Sequence, residues 1–349
     1  MFEDTEPRRE PAVRWMTGQP GDALLFLSAD RQSLLIPWDI NIALKYADAE
    51  MVIPYTEMDR QALIAFRSAL EIFKTPLGSK LEISPATPYP LFLSYVEALG
   101  DFDILCRDIG ATQAVTALRA VKDGEEIAIY RELSQITNEM IDHLEEGVRS
   151  GKLKTEMDAA LFIETEARKR GCEGTGFETL AAGSGRSFGI HAFPAYTAGE
   201  FARQGLSILD FGLKLRGYTS DVTMSFACPP LSKAQERLLT LTEKAYKTGL
   251  SLVLPGMEAR NIAAAVDNFF GKARKIMPHG LGHGIGLEAH EGPAIRNRCS
   301  NDWILTPGMI FTLEPGLYDP AQGGCRLEND ILVTETGYEV LTQSRIVRL

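Results

Sequence analysis

The stretch from Ser207 to Phe226, SILDFGLKLRGYTSDVTMSF, reads as two alternating strands folded back on each other, with the turn near Leu215-Arg216-Gly217. Asp210 and Asp221 are symmetric about position 215.5, so a regular hairpin sets them opposite each other. Their Cβ atoms would then lie about 5 Å apart on one face. Ionised carboxylates about 4 Å apart repel by roughly 4 kcal/mol at an effective dielectric near 20, so such a pair needs a shared proton or a cation. A second stretch repeats the device. IFTLEPGLY (310–318) and CRLENDILV (325–333) flank a turn of Asp319, Pro320, Gln322 and two glycines, and the symmetry about position 321 places Glu314 opposite Glu328.

Between the two hairpins lies HGLGHGIGLEAH, residues 279–290, which holds three of the five histidines of the chain. Glycines at 280, 282, 284 and 286 let this backbone come close to another strand or to a bound group. Four carboxylates and an imidazole form a ligand set whose charge of about −4 two divalent cations would balance, because carboxylates can bridge metals roughly 3.5–4 Å apart. Oxygen-rich ligation with one nitrogen suits Mn²⁺, Co²⁺, Fe²⁺ or Zn²⁺, and the donor set does not choose among them.

The rest of the chain sets bounds on this reading. A chain of 349 residues suggests two domains, and 45% hydrophobic with 24% charged residues is an ordinary globular composition. The net charge of −11 argues against nucleic acid or anionic lipid as partner and favours a small molecule or peptide. MFEDTEPRREP at the N-terminus has no apolar core resembling a signal peptide, and no run approaches the length of a membrane span, so a cytoplasmic location is expected. Cys106, Cys172, Cys228, Cys299 and Cys325 are scattered without metal-ligand spacing and read as reduced.

From 23 to about 120, the runs ALLFL (23–27), SLLIP (33–37), MVIPY (51–55), LEIS (81–84) and DILC (103–106) read as strands. Leu63, Phe66, Leu70 and Phe73 mark a helix between them, and 110–121 marks another. This α/β domain, 1–122, contains no histidine and no glycine-rich phosphate loop, which leaves it a packing or oligomerisation role. At Asp123-Gly124-Glu125-Glu126 a capping box opens a second domain, 123–349, with Ile129, Leu133, Ile136 and Met140 at helical spacing. His143 on that helix reads as a surface or packing residue. A turn ending at Gly147 and a helix from Thr155 follow, then strands over 177–227; a helix opening at Ser232, a turn at Pro255-Gly256, another helix and strands from 276 repeat that order. The match suggests an internal pseudo-repeat.

Taken together, DFG with SDVT, HGLGHGIGLEAHEGP, TLEPGLY and RLEND resemble the motifs of the pita-bread metallopeptidases, the group of aminopeptidase P, prolidase, methionine aminopeptidase and the creatinases. The resemblance implies an α+β pita-bread domain with a pseudo-two-fold repeat over 123–349. It also implies a creatinase-like, ribonuclease H-like α/β domain over 1–122, as in the aminopeptidase P and prolidase branch, and a homodimer. The implied metal ligands are Asp210, Asp221, His283, Glu314 and Glu328, with Asp221 and Glu328 shared by two ions. His191, His279 and His290 match the family's substrate-handling histidines, while Arg326 and Thr223 stand behind the ligands. The implied reaction is hydrolysis by a metal-bridging hydroxide, with Glu314 moving the proton and His290 and His279 steadying the oxyanion.

Within this branch the resemblance implies a peptide with proline second from its N-terminus. A dipeptide substrate needs a cation for its free carboxylate, which Arg296 or Arg298 could supply, although each also reads as a solvated loop residue. FGIHAFP (188–194) departs from the family, where a proline commonly precedes this histidine and a glycine follows it. That departure leaves a broader dipeptidase as an alternative, and a non-catalytic peptide-binding module is the alternative of a different class.

Overall fold

The computed structural model describes residues 1–6 and 9–349; of the N-terminal stretch quoted above, Pro7 and Arg8 lie outside the described residues. The chain divides into two compact units, Met1–Leu118 and Arg119–Leu349. The division falls four residues before the 122/123 boundary read from the sequence. Ion pairs explain the difference: Arg119 pairs with Glu288 and Glu291, and the Lys122 ammonium lies 2.7 Å from Glu291. All four residues belong to the second unit.

In the first unit a four-stranded sheet runs Phe2–Asp4, Ala23–Leu27, Ser33–Pro37 and Met51–Val52. Its first two pairings are antiparallel and its last is parallel. A separate parallel pair joins Lys80–Ile83 to Asp103–Cys106. The expected strand MVIPY stops at Val52, since the ladder cannot use Pro54, which has no N–H, and Tyr55–Met58 turn into a 3₁₀ helix. The helix marked by Leu63 and Phe66 spans Ala62–Ile72.

The second unit is written twice. Its first half opens with helices Gly124–Arg149 and Glu156–Lys169, each started by a complete capping box, Asp123 with Glu126 and Thr155 with Asp158. The first of these runs through Gly147 rather than ending there, and Leu153 packs into the space a side chain at 147 would fill. Helices Lys233–Leu250, boxed by Ser232 and Gln235, and Ala259–Lys272 open the second half. Each helix pair covers an antiparallel hairpin. Val222–Cys228 lies between Gly205–Phe211 and the parallel strand Ile346–Arg348, and Ile310–Leu313 pairs with Asn329–Val333 in a five-stranded sheet that includes Gly282–Gly284.

The register of these hairpins decides where the carboxylates go. In the second, Leu313 pairs with Asn329 and Gly316 with Arg326, so Glu314 stands opposite Glu328, as the symmetry of the sequence predicts. The first hairpin differs. Asp210 pairs with Thr223, not Asp221, because the chain reverses through Arg216 (φ 49°) and Gly217 (φ 88°), a two-residue turn with both central φ angles positive. The centre therefore moves from 215.5 to between 216 and 217, and each partner shifts by two residues. An even shift keeps side chains on the same face, so Asp221 still faces the same way as Asp210, one pair further along.

Candidate metal centre

An isolated bridge between Thr223 and Glu328 joins the two halves. It sets Asp210, Thr223, Glu328 and Glu314 in one row across neighbouring strands. Two residues along each strand, on the same face, a second row holds Asp221, Asp330, Thr312 and His283; Thr312 pairs with Asp330, and Gly284 with Phe311. His283 can approach because Gly282 has no side chain: a Cβ there would lie 1.8 Å from the Thr312 carbonyl oxygen.

Five of these side chains, Asp210, Asp221, His283, Glu314 and Glu328, line one cavity of about 510 Å³. Ligand atoms of Asp221, His283 and Glu328 all lie within 4.8 Å of one another. The His283 Nε2 is 3.7 Å from both Asp221 Oδ2 and Glu314 Oε1. Its Nδ1–H donates to the Gly284 carbonyl at 3.1 Å, which assigns the tautomer that leaves the Nε2 lone pair facing the carboxylates. Burial, with His290 adding to it, lowers the imidazole to about 3, so it is neutral and able to coordinate at physiological pH.

The carboxylates are held against their own repulsion. Burial first, then Glu328, holds Asp221 and Glu314 well above the ordinary carboxylate range, and burial with Asp210 pushes Glu328 to about 7. Asp210 Oδ1 is buried with no hydrogen-bond partner among the described residues. A free buried lone pair, a crowd of carboxyls and a directed imidazole nitrogen are the donor chemistry of a divalent-cation site. The residues present fit such ions.

Behind the row stands Arg326, whose side chain is 2% exposed. Its Nη2 donates to Asp210 Oδ2 at 2.5 Å, its Nε to Thr223 Oγ1 at 2.8 Å, and its Nη1 to the Tyr318 hydroxyl at 2.7 Å and the Ile190 carbonyl at 3.1 Å. Thr223 in turn donates to Glu328 Oε2 at 2.6 Å. One guanidinium thus orients carboxylates from both halves.

Residues 128–335 match metallopeptidase family M24. The chain belongs to this family. A putative dipeptidase, YkvY, of Bacillus subtilis (strain 168) is 31% identical over 240 residues, 67% of this chain, which spans only 64% of that protein. Among solved structures, the Xaa-Pro dipeptidase from Bacillus anthracis superimposes with a TM-score of 0.85 at 25% identity, covering 100% of this chain and 94% of that one. The X-Pro aminopeptidase from Thermotoga maritima MSB8 gives a TM-score of 0.84 at 25% identity, with the same coverage of 100% and 94%. The fold is the two-part pita-bread architecture that the motifs imply.

The structure sorts the remaining candidates of this M24 chain. His191, His279 and His290 all line the main cavity, and the His290 ring lies 4.2 Å from that of His283. Burial, with Arg326 nearby, lowers His279 to about 4, and burial lowers His290 as well. Arg296 lines this cavity too, whereas Arg298 does not; it lines a neighbouring one. His143 lies on the surface, its Nδ1 3.2 Å from Arg170 Nη2.

Three residues escaped the sequence reading. The Tyr318 hydroxyl, which accepts from Arg326, donates to His279 Nε2 at 3.0 Å, while His279 Nδ1–H donates to the Gly280 carbonyl at 2.8 Å. Asp330 Oδ2 accepts the backbone N–H of Asp221 at 3.2 Å, and Thr312 Oγ1 accepts that of His283 at 3.2 Å. The signal was available for all three. Thr312 lies two residues from Glu314, Asp330 two from Glu328 and Tyr318 four from Glu314, an even spacing that returns to the same face along extended chain. Glu291, next to His290, anchors that segment through Lys122 and Arg119.

Proposed function

We propose that this chain is a divalent-metal-dependent peptidase that hydrolyses the bond between an N-terminal residue and proline in short peptides. The observation that carries the reading is the convergence of Asp210, Asp221, His283, Glu314 and Glu328, from two hairpins and a Gly-rich strand, on one cavity wall. These five residues would hold two divalent ions, and Mn²⁺ suits the donor set. When bound, such ions supply Lewis acidity toward the scissile carbonyl and lower the pKa of water toward about 7.

The chain's own groups supply the rest. Glu314, whose carboxyl burial raises above the ordinary carboxylate range, takes the proton of the attacking water and returns it to the leaving proline nitrogen. Its Oε2 lies 3.6 Å from His279 Nδ1, within reach of a small adjustment. His279 keeps one orientation because Tyr318 and Arg326 hold its Nε2 side. His290, neutral and beside His283, offers an N–H to the carbonyl oxygen as charge builds on it. No serine or cysteine is among the lining residues, so no covalent step is needed.

Proline recognition has to use shape, because its peptide nitrogen carries no N–H. Phe177, Leu180, Ile190, Ala192 and Phe193 provide an apolar wall for the ring. Arg296 at the cavity edge suits the carboxylate of a dipeptide. The relatives support this reading, being a putative dipeptidase, an Xaa-Pro dipeptidase and an X-Pro aminopeptidase. We take the protein to act as a homodimer, as the resemblance implies, and light scattering showing a monomer at assay concentration would refute that. No helix among the described residues is long and apolar enough to cross a membrane.

The test is hydrolysis of Ala-Pro against Ala-Ala by protein reconstituted with Mn²⁺. Preference for Ala-Pro is expected. Equal turnover would replace the proline reading with a broader dipeptidase, and intact peptides would leave only a binding role.

A further inference from the structure

The main cavity does not end at Arg296. A second cavity of about 350 Å³ begins on the other side and shares only His279, Gly280 and Arg296 with the first. The Arg296 side chain lies along Gly280: a Cβ at that position would come within 2.9 Å of Arg296 Cγ and 3.0 Å of Nε. The boundary between the cavities is therefore His279 together with one flexible side chain, Arg296, laid on a glycine.

Beyond this wall the cation is Arg298. Its backbone N–H donates to the Arg296 carbonyl at 3.0 Å, so the two side chains leave one tight loop into successive cavities. Neither guanidinium has an ion pair among the described residues. The acidic group lining the second cavity, Asp267, has its Oδ2 engaged by Asn297 Nδ2 at 3.0 Å. Arg296 thus lines both the cavity that holds the carboxylate cluster and the second one, whereas Arg298 lines only the second, which includes none of the five candidate ligands. Each residue added to a peptide extends it by roughly 3.3–3.6 Å.

We propose that the second cavity is a carboxylate subsite for peptides longer than two residues, in which Arg298 binds the C-terminal carboxylate of a tripeptide. This rests on the peptidase reading above. With a dipeptide, Arg296 holds the carboxylate. With a tripeptide, the added residue crosses the ledge at Gly280, Arg296 donates to a peptide carbonyl instead, and the carboxylate reaches Arg298. The two arginines then select peptide length in opposite directions.

The experiment measures kcat/KM of the metal-reconstituted enzyme for Ala-Pro, Ala-Pro-Ala and Ala-Pro-Ala-amide. Arg298→Ala should lower the preference for Ala-Pro-Ala over its amide about tenfold, the loss of one charge-assisted contact. It should lower the preference for Ala-Pro-Ala over Ala-Pro by a similar factor, and Arg298→Lys should restore part of both. Arg296→Ala should move the tripeptide-to-dipeptide ratio the other way. Both ratios unmoved in Arg298→Ala would overturn the subsite, as would a wild type that cleaves Ala-Pro and leaves Ala-Pro-Ala intact. A wild type inactive on all three peptides would instead overturn the peptidase reading and the subsite with it.

Discussion

Stripping divalent ions with a chelator should leave a protein whose stability falls as pH rises, opposite to the usual behaviour of carboxylates. In the folded chain without ions, burial and Asp210 move the Glu328 carboxyl from 4.5 to about 7. A folded-state pKa above the unfolded one means that the folded form binds the proton more tightly. The stabilisation is complete below pH 4.5 and is lost as pH rises through 7. At about 1.4 kcal/mol per tenfold change in proton affinity, the move is worth about 3 kcal/mol. Asp221 and Glu314 shift the same way and titrate with Glu328 as a set, so they steepen the loss. For a unit of this size a change of about 3 kcal/mol corresponds to a Tm drop of roughly 6–12 °C. Differential scanning calorimetry from pH 5 to pH 8, with chelator and with excess Mn²⁺, reads this out. The ions bind the ionised set, so in their presence Tm should hold or rise over the same range. A metal-free Tm that is flat or climbs from pH 5 to 8 would refute the reasoning.

Other consequences can be measured one residue at a time. His283→Ala should weaken Mn²⁺ binding beyond the roughly 10–100-fold typical of losing an outer partner, whereas His143→Ala, on the surface, should leave calorimetric affinity unchanged. Arg326→Met removes every donor to Asp210 Oδ2 and Tyr318 in one step, and a buried charge left alone costs about 3–5 kcal/mol, visible as a lowered denaturation midpoint in the metal-free protein. Tyr318→Phe deletes only the hydroxyl between Arg326 and His279; turnover of Ala-Pro should fall roughly 10–100-fold with metal content unchanged, as for loss of an orienting partner.

Much of the centre could be read from spacing alone, because side-chain direction in a hairpin depends on parity more than on the choice of partner. Glu314 and Glu328 fell in register directly. For Asp210 and Asp221 the assumed symmetric turn missed the positive-φ pair Arg216-Gly217, yet the two-residue slip preserved the face. What linear spacing could not show is the bridge between Thr223 and Glu328, which joins strands about a hundred residues apart and makes two acidic pairs into one site. The family resemblance put Arg326 behind the ligands, but its reach to Tyr318 and Ile190 depends on burial that only the folded chain displays. The two arginines after His290 were indistinguishable in sequence; Gly280 separates them by giving Arg296 a surface to lie on. In the first unit the short helices Pro11–Thr17 and Ile40–Tyr46 carry too few periodic apolar positions to stand out.

The central claim is that five residues from both halves of the second unit hold two ions that make the chain a peptidase. Titrating metal-free protein with Mn²⁺, while measuring bound metal by mass spectrometry and Ala-Pro hydrolysis in the same samples, tests it most directly. Hydrolysis should rise with bound metal and level off at about two ions per chain, as a paired-metal centre requires. Protein that binds no Mn²⁺ and leaves Ala-Pro intact, or that reaches full activity before any ion is bound, would contradict the account.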